Sequence, residues 1–412
     1  MSASIAADPV VSADPIAAVE ALADGYTQFV TRDAMVLYAG MNIPSPRAAR
    51  LLSLPLGAMP AMGQGTTREQ PGVGVIVQIE AAAEAAACRL FKGDWAEVRL
   101  QSCTLANLAV YAAVCEVNDL VAITPASAGG HVSHQQRGVP GVMGLNTIDL
   151  PYDNAGQCVD DAASAALIRA RRPRLVMLGA SYVPRAFDFP QIVAAAREVG
   201  AVLAYDIAHV AGLVAGGGFG NPLEQGADLL TASTYKSLGG PPGGLIIGRS
   251  RIADLQARVR QSAYPRMTAN YDAARVAALA VSLAESEQHA VAYTQAMLAN
   301  ADGLRVALAR ENLPALPGST HHLVVPVRDA DAVSHRLAAR GIVCGSIAVS
   351  GQAWPRGLRI GTQFLTRRGF RADDMATVAT LFGEALRDDV DDASMRDFIT
   401  TFMRTRTGIA FC

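Results

Sequence analysis

The sequence predicts an α/β protein: a mostly parallel sheet covered on both faces by helices, followed by a smaller C-terminal α+β unit. Three observations predict it. The runs RLVMLGAS (174–181), AVLAYDIAH (201–209), ADLLTASTYKS (227–237) and GGLIIGR (243–249) are almost continuously apolar, as strands buried on both faces require. Helical stretches alternate with strands, as in PQIVAAAREVG (190–200), which closes on a glycine. Beyond about residue 272 the texture changes to long helical segments. These lead into a strand HLVVPV (322–327) and a helix DAVSHRLAARG (331–341).

Taken in order, residues 14–30 place Ile16, Val19 and Leu22 at helical spacing behind an Asp14-Pro15 start signal. They read as part of an N-terminal arm. The alanine-rich stretch QIEAAAEAAACRLF (78–91) predicts a helix. EVRLQSCTLANLAVYAAVCEV reads as a short strand, a Ser-Cys-Thr turn and a helix from Leu105 to about Val117. The tail MRDFITTFMRTRTGIAFC predicts a helix and then an extended end. The expected division is an arm (1–40), a large domain (41–280) and a small C-terminal domain (281–412), with no internal repeat.

Composition excludes several classes. Of 412 residues, 51% are hydrophobic and 17% charged, with a net charge of −2, so neither disorder nor a phosphate-attracting basic field is present. The start carries acids and no basic n-region, unlike a secretory signal, and no apolar run reaches the ~20 residues of a membrane helix. Six scattered cysteines without a CxxC pair suggest a reducing compartment, and a cytoplasmic location is expected. There is no GxxxxGK[ST] motif, and the glycine runs at 72–74 and 215–220 lack a strand–GxGxxG–helix setting. His131 with His134, and His321 with His322, lack a completing cysteine or carboxylate, so no metal is expected.

One count narrows the chemistry. Among 35 basic residues only Lys92 and Lys236 are lysines. Lys236 ends an apolar run in Ser-Thr-Tyr-Lys-Ser, just before Gly-Gly-Pro-Pro-Gly-Gly; Asp206 ends another, with His209 three residues on. Ser102-Cys103-Thr104 joins a strand to a helix start, where backbone N–H groups receive phosphate. A strand-end amine, a neighbouring carboxylate and a phosphate cradle are what pyridoxal phosphate requires. The amine holds the aldehyde as a Schiff base, and the carboxylate keeps the ring nitrogen protonated.

With these residues in hand, the sequence resembles the serine hydroxymethyltransferases, fold type I pyridoxal-phosphate enzymes with a mostly parallel seven-stranded sheet in the large domain. The match runs from about Leu37 to Ala385, and its most specific part spans 205–248. Further pieces are NIPSPRAARLLS (42–53), AGGHVSH (128–134), GASYVPRAFDF (179–189) and GLRIGTQFLTRRGF (357–370). The resemblance implies that Lys236 is the Schiff-base lysine, that Asp206 faces the pyridine nitrogen and His209 the ring hydroxyl, and that His131 stacks on the ring. It implies that Ser102, Cys103 and Thr104 hold the phosphate, with Ser181 and Ser233 as secondary contacts. Arg359 would bind the substrate carboxylate, whose two oxygens a guanidinium fork matches. It also implies a homodimer with the site near the interface.

The departures lie on the substrate side. The family's loop glutamate and tyrosine align with Met62 and Pro60, its Ser-Glu-Asn reads Gly40-Met41-Asn42, and the histidine before the lysine is Tyr235. The paired glycines that serve a neighbouring subunit's phosphate read YPRMTAN (264–270), with Arg266 as a substitute cation. Methionine cannot accept a proton. The expected activity is therefore aldol cleavage or transfer at the Cα–Cβ bond of β-hydroxy-α-amino acids, including α-methylserine-type ones, with an aldehyde as second partner and no requirement for tetrahydrofolate. The alternatives are a tetrahydrofolate-dependent hydroxymethyltransferase, transamination on the same fold, and a non-catalytic cofactor-binding paralogue. The base acting on the hydroxyl is open between His131, Glu69, His134 and a water.

Overall fold

A computed structural model describes residues 14–387 and 389–412; the first thirteen residues of the expected arm, where the signal reading was made, lie outside them. Helix α1 (Pro15–Gln28) starts where Asp14 accepts hydrogen bonds from the N–H groups of Ile16 and Ala17. Helix α2 (Gly74–Phe91) precedes strand β1 (Trp95–Glu97), and helix α3 (Cys103–Val114) follows it. Strands β2 (Leu120–Ile123) and β3 (Asn146–Asp149) come next, then helix α4 (Asp161–Arg171). Strand β4 (Leu175–Leu178), helix α5 (Pro190–Val199) and strands β5 (Val202–Asp206), β6 (Leu229–Ser233) and β7 (Gly244–Gly248) complete the large sheet.

Its seven strands run in the order β1-β7-β6-β5-β4-β2-β3. Only β7 is reversed, pairing antiparallel with both β6 and β1, so the other six run the same way. Strands β4, β5, β6 and β7 are buried along their whole length, the pattern of a sheet covered on both faces. Each is shorter than the apolar run that predicts it. The excess lies in the carboxyl-end turns, where Ile207, Ala208 and Thr234 are buried and Ala208 lines the site.

Helix α6 (Ala273–Arg310) has 38 residues and runs through the expected division at residue 280. Its longer N-terminal part, with Val276, Leu279, Leu283 and Met297, packs into the core of the large sheet. Its last turns, with Ala301, Leu304 and Leu308, enter a second core. That core is completed by strand β8 (His322–Pro326), helix α7 (Ala330–Ala339), strands β9 (Gly345–Ala348) and β10 (Arg356–Gly361), and helices α8 (Met375–Leu386) and α9 (Asp392–Met403). Met35 and Leu37, from the expected arm, are also part of it.

Candidate active site

Because β1, β2, β4, β5 and β6 share one direction, their carboxyl ends open on one edge, where ligands of α/β sheets bind. A cavity lies there. Its lining includes Ser102, Cys103, Thr104, His131, Ser181, Asp206, His209, Ser233 and Lys236, so the structure brings together every expected cofactor residue. Their order along the sheet follows from topology: Asp206 is the last residue of β5, Ser233 the last of β6, and Lys236 lies in the turn beyond.

Asp206 sits at the base, buried, and its carboxylate is fully engaged. It accepts from Asn107 Nδ2 (2.9 Å), His134 Nε2 (3.0 Å) and the Ala208 N–H (2.8 Å). Burial alone would raise its pKa, but the His134 and Asn107 contacts outweigh it and hold the carboxyl well below its usual range. A carboxylate can only accept, so His134 must carry its hydrogen on Nε2. The 3.2 Å approach of Asn107 Nδ2 to that nitrogen is then two donors converging on one acceptor, not a bond. Asn107 is fixed by Thr231, whose hydroxyl donates to Asn107 Oδ1 (2.6 Å) and which pairs with Asp206 across the β5–β6 ladder.

The thiol of Cys103 lies 3.6 and 3.7 Å from the two Asp206 oxygens. Burial first, and the carboxylate second, push it well above an ordinary cysteine, so it stays protonated and donates weakly. Ser102 caps α3, its hydroxyl accepting from Leu105 N–H (3.2 Å). The first-turn N–H groups of Cys103 and Thr104 stay open at the positive end of a 12-residue helix. Two glycines permit this crowding. A Cβ on Gly179, where φ is +110°, would fall 2.2 Å from the Asp206 carbonyl, and one on Gly244 would fall 2.2 Å from that of Ser102.

Lys236 Nζ stands 3.1 Å from His209 Nε2. Burial lowers the amine's pKa, with Cys103 and Asp206 partly opposing, which favours the neutral, nucleophilic form. Burial also drives His209 well below a free histidine. His131 keeps Nδ1 on Ser133, at 2.8 Å from its hydroxyl. Its pKa is lowered to about 4, mainly by burial, so the ring is neutral at physiological pH. Arg359, buried on β10, donates through Nη1 to the Ser181 carbonyl (2.6 Å) and lies over the Tyr38 ring, while its Nε has no partner.

The other base candidates fare differently. His134 is fully buried in the cavity lining and committed to Asp206 through Nε2. Glu69 is exposed, 3.3 Å from the Tyr264 hydroxyl, and it does not line this chain's cavity; nor do Pro60 and Met62. Arg266 lines a groove at the far end of α3, beside Glu116 and Asp119. Asn107 escaped the sequence reading. Its only signal was a single amide inside the apolar helix run LANLAVYAAV, four residues after Cys103 and so on the same helix face.

The sequence model of the serine hydroxymethyltransferases matches residues 27–382. The chain belongs to the serine hydroxymethyltransferase family. Within the family it is similar to an alpha-methylserine aldolase of Variovorax paradoxus, 39% identical over 87% of this chain and 83% of that protein. It is also similar to a serine hydroxymethyltransferase of Methanopyrus kandleri, 33% identical over 86% of this chain and 85% of that protein. Its fold matches the crystal structure of an L-threonine transaldolase from Pseudomonas fluorescens in its internal aldimine state, with a TM-score of 0.89. That likeness has 23% identity and covers 96% of this chain and 93% of the other. The chain is thus a pyridoxal-phosphate enzyme of the serine hydroxymethyltransferase family, with the fold type I architecture. Among the described residues no helix is long and apolar enough to cross a membrane.

The cavity fits that cofactor on its own terms. It offers an amine whose pKa is lowered by burial, an ionised carboxylate and an open helix start, all converging on one space. Among the described residues no group of three or more His, Cys, Asp or Glu could hold a metal.

Proposed function

We propose that the enzyme cleaves and forms the Cα–Cβ bond of β-hydroxy-α-amino acids of the α-methylserine type, exchanging an aldehyde and needing no tetrahydrofolate. The observation that carries this reading is a cavity that gathers the expected cofactor residues in a chain that has Pro60 and Met62 where the family's tyrosine and glutamate align. The likeness to alpha-methylserine aldolases supports the same choice.

When bound, pyridoxal phosphate supplies an electron sink for the pair released as the Cα–Cβ bond breaks. The residues provide the rest. Lys236 would hold the cofactor through its amine, whose lowered pKa favours the nucleophilic form, with His209 Nε2 at 3.1 Å to share a proton. Asp206 keeps a positive ring nitrogen paired, and its charge is secured by Asn107 and His134. Ser102, Cys103 and Thr104 cradle the phosphate, with Ser181 and Ser233 at the walls. Arg359 holds the substrate carboxylate with the guanidinium donors left free by Ser181. His131, neutral, accepts the Ser133 N–H on Nδ1 (3.2 Å), so its Nε2 carries the hydrogen and donates to the β-oxygen, while a water takes the β-hydroxyl proton as the C–O bond becomes the aldehyde carbonyl.

A homodimer belongs to the same proposal. Helix α1 exposes Ile16, Val19, Leu22 and Tyr26 along one side and buries nothing within its own chain. The expected result for the reaction is aldehyde release from α-methylserine at a rate changed less than about two-fold by tetrahydrofolate. The release is followed with a carbonyl reagent. Strict dependence on tetrahydrofolate would overturn the proposal in favour of the folate-dependent reaction.

A further inference from the structure

The chain runs past the last matched residue, 382, into α9 and then a segment of nine residues, 404–412, that returns to the body of the protein. Its path is fixed at successive points. Arg406 pairs with Asp374 (3.2 Å), its carbonyl accepts from Arg368, and the Ala410 N–H donates to the Arg367 carbonyl (2.7 Å). Phe411 takes a left-handed φ of +60°, a conformation that an aromatic residue keeps only when its surroundings impose it. Here Arg367 Nη1 donates to its carbonyl (2.6 Å), and the Arg371 guanidinium lies 4.9 Å over its ring.

That ring also meets Tyr293 of α6, with centroids 5.3 Å apart. The Tyr293 hydroxyl is a junction. It donates to the Gln363 carbonyl (2.8 Å), just beyond the strand that carries Arg359, and accepts from Asn42 Nδ2 (2.9 Å). The same Asn42 Nδ2 donates to the carbonyl of Lys236 (2.9 Å). Phe411 thus backs Tyr293, which together with Asn42 ties the main chain at Lys236 to the main chain beyond Arg359.

We propose that the 404–412 segment is a strap and Phe411 a positioning residue. By holding Tyr293 in place, it sets the spacing between the cofactor amine and the carboxylate-binding guanidinium. This rests on the roles given to Lys236 and Arg359 above, and neither Phe411 nor Tyr293 lines the cavity.

The test uses the full chain with Phe411→Ala, Phe411→Leu, Tyr293→Phe and Cys412→Ser. Two readouts are taken: the dissociation constant of pyridoxal phosphate for the cofactor-free protein, and hydrogen exchange of the amides at 236–240. Phe411→Ala is expected to weaken cofactor binding by about ten-fold and to speed that exchange, including the Gly239 amide that donates to Lys236. Phe411→Leu should restore much of both, and Cys412→Ser should resemble the parent. Tyr293→Phe, which removes one oxygen and leaves the strap seated, should loosen the same amides, and it decides the matter if Phe411→Ala does not fold. Phe411→Ala with a lower melting temperature but unchanged affinity and exchange would overturn the strap, as would Tyr293→Phe matching the parent. A parent that bound no cofactor would instead overturn the role of Lys236, leaving the exchange comparison to judge the strap.

Discussion

Lys236→Ala is expected to lose the visible absorbance of bound cofactor and to lower aldehyde release by roughly 10,000-fold or more, since the chain contains no replacement amine in reach. The other lysine, Lys92, is exposed and pairs with Glu224, its Nζ 2.9 and 3.0 Å from the two carboxylate oxygens. Lys92→Ala should change activity by less than about two-fold, because an exposed ion pair contributes little. Arginine elsewhere cannot substitute, as its guanidinium neither deprotonates nor forms the imine. Comparing the two variants by absorbance and rate separates a general need for lysine from the need for this one.

Asp206→Asn is expected to lower the rate by about 100- to 10,000-fold, since it removes the charge that pairs with a protonated ring nitrogen. It should also cost stability. Asp206 accepts from Asn107, His134 and the Ala208 amide, and an asparagine offers one oxygen and a competing NH₂ group to the same donors. At least one buried donor is stranded, a loss of about 1–3 kcal/mol in the cofactor-free protein. The sign of its pH dependence follows from the depressed pKa. The folded carboxylate holds its charge below the ordinary value of 3.8, so its contribution is complete above that value and declines as pH falls further. The gap between parent and variant in denaturant midpoint should therefore be full at pH 7 and narrow below about pH 4.

Much of this was legible from the residues. The apolar runs at 174–181, 201–209 and 227–237 predicted the central strands, because burial on both faces removes the polar alternation that would otherwise blur them. The scarcity of lysine isolated Lys236, and the strand-end position of Asp206 set the carboxylate on the neighbouring strand. What remained hidden depends on long-range contact. Nothing near Asn107 in sequence announces that Thr231 and Asp206, more than ninety residues away, complete its hydrogen bonds. His134 is a base candidate from the sequence, and only the packing shows that its Nε2 is held on Asp206. The division at residue 280 could not be seen to fall inside a helix, since α6 keeps one helical pattern while its two ends serve different cores.

The central claim is that Lys236 holds the cofactor over Asp206, and its most direct test is borohydride reduction of the purified holoenzyme followed by peptide mapping. The account predicts a single pyridoxyl label, on the peptide containing Lys236. A label on Lys92, or no labelled peptide from protein that retains its cofactor, would contradict it.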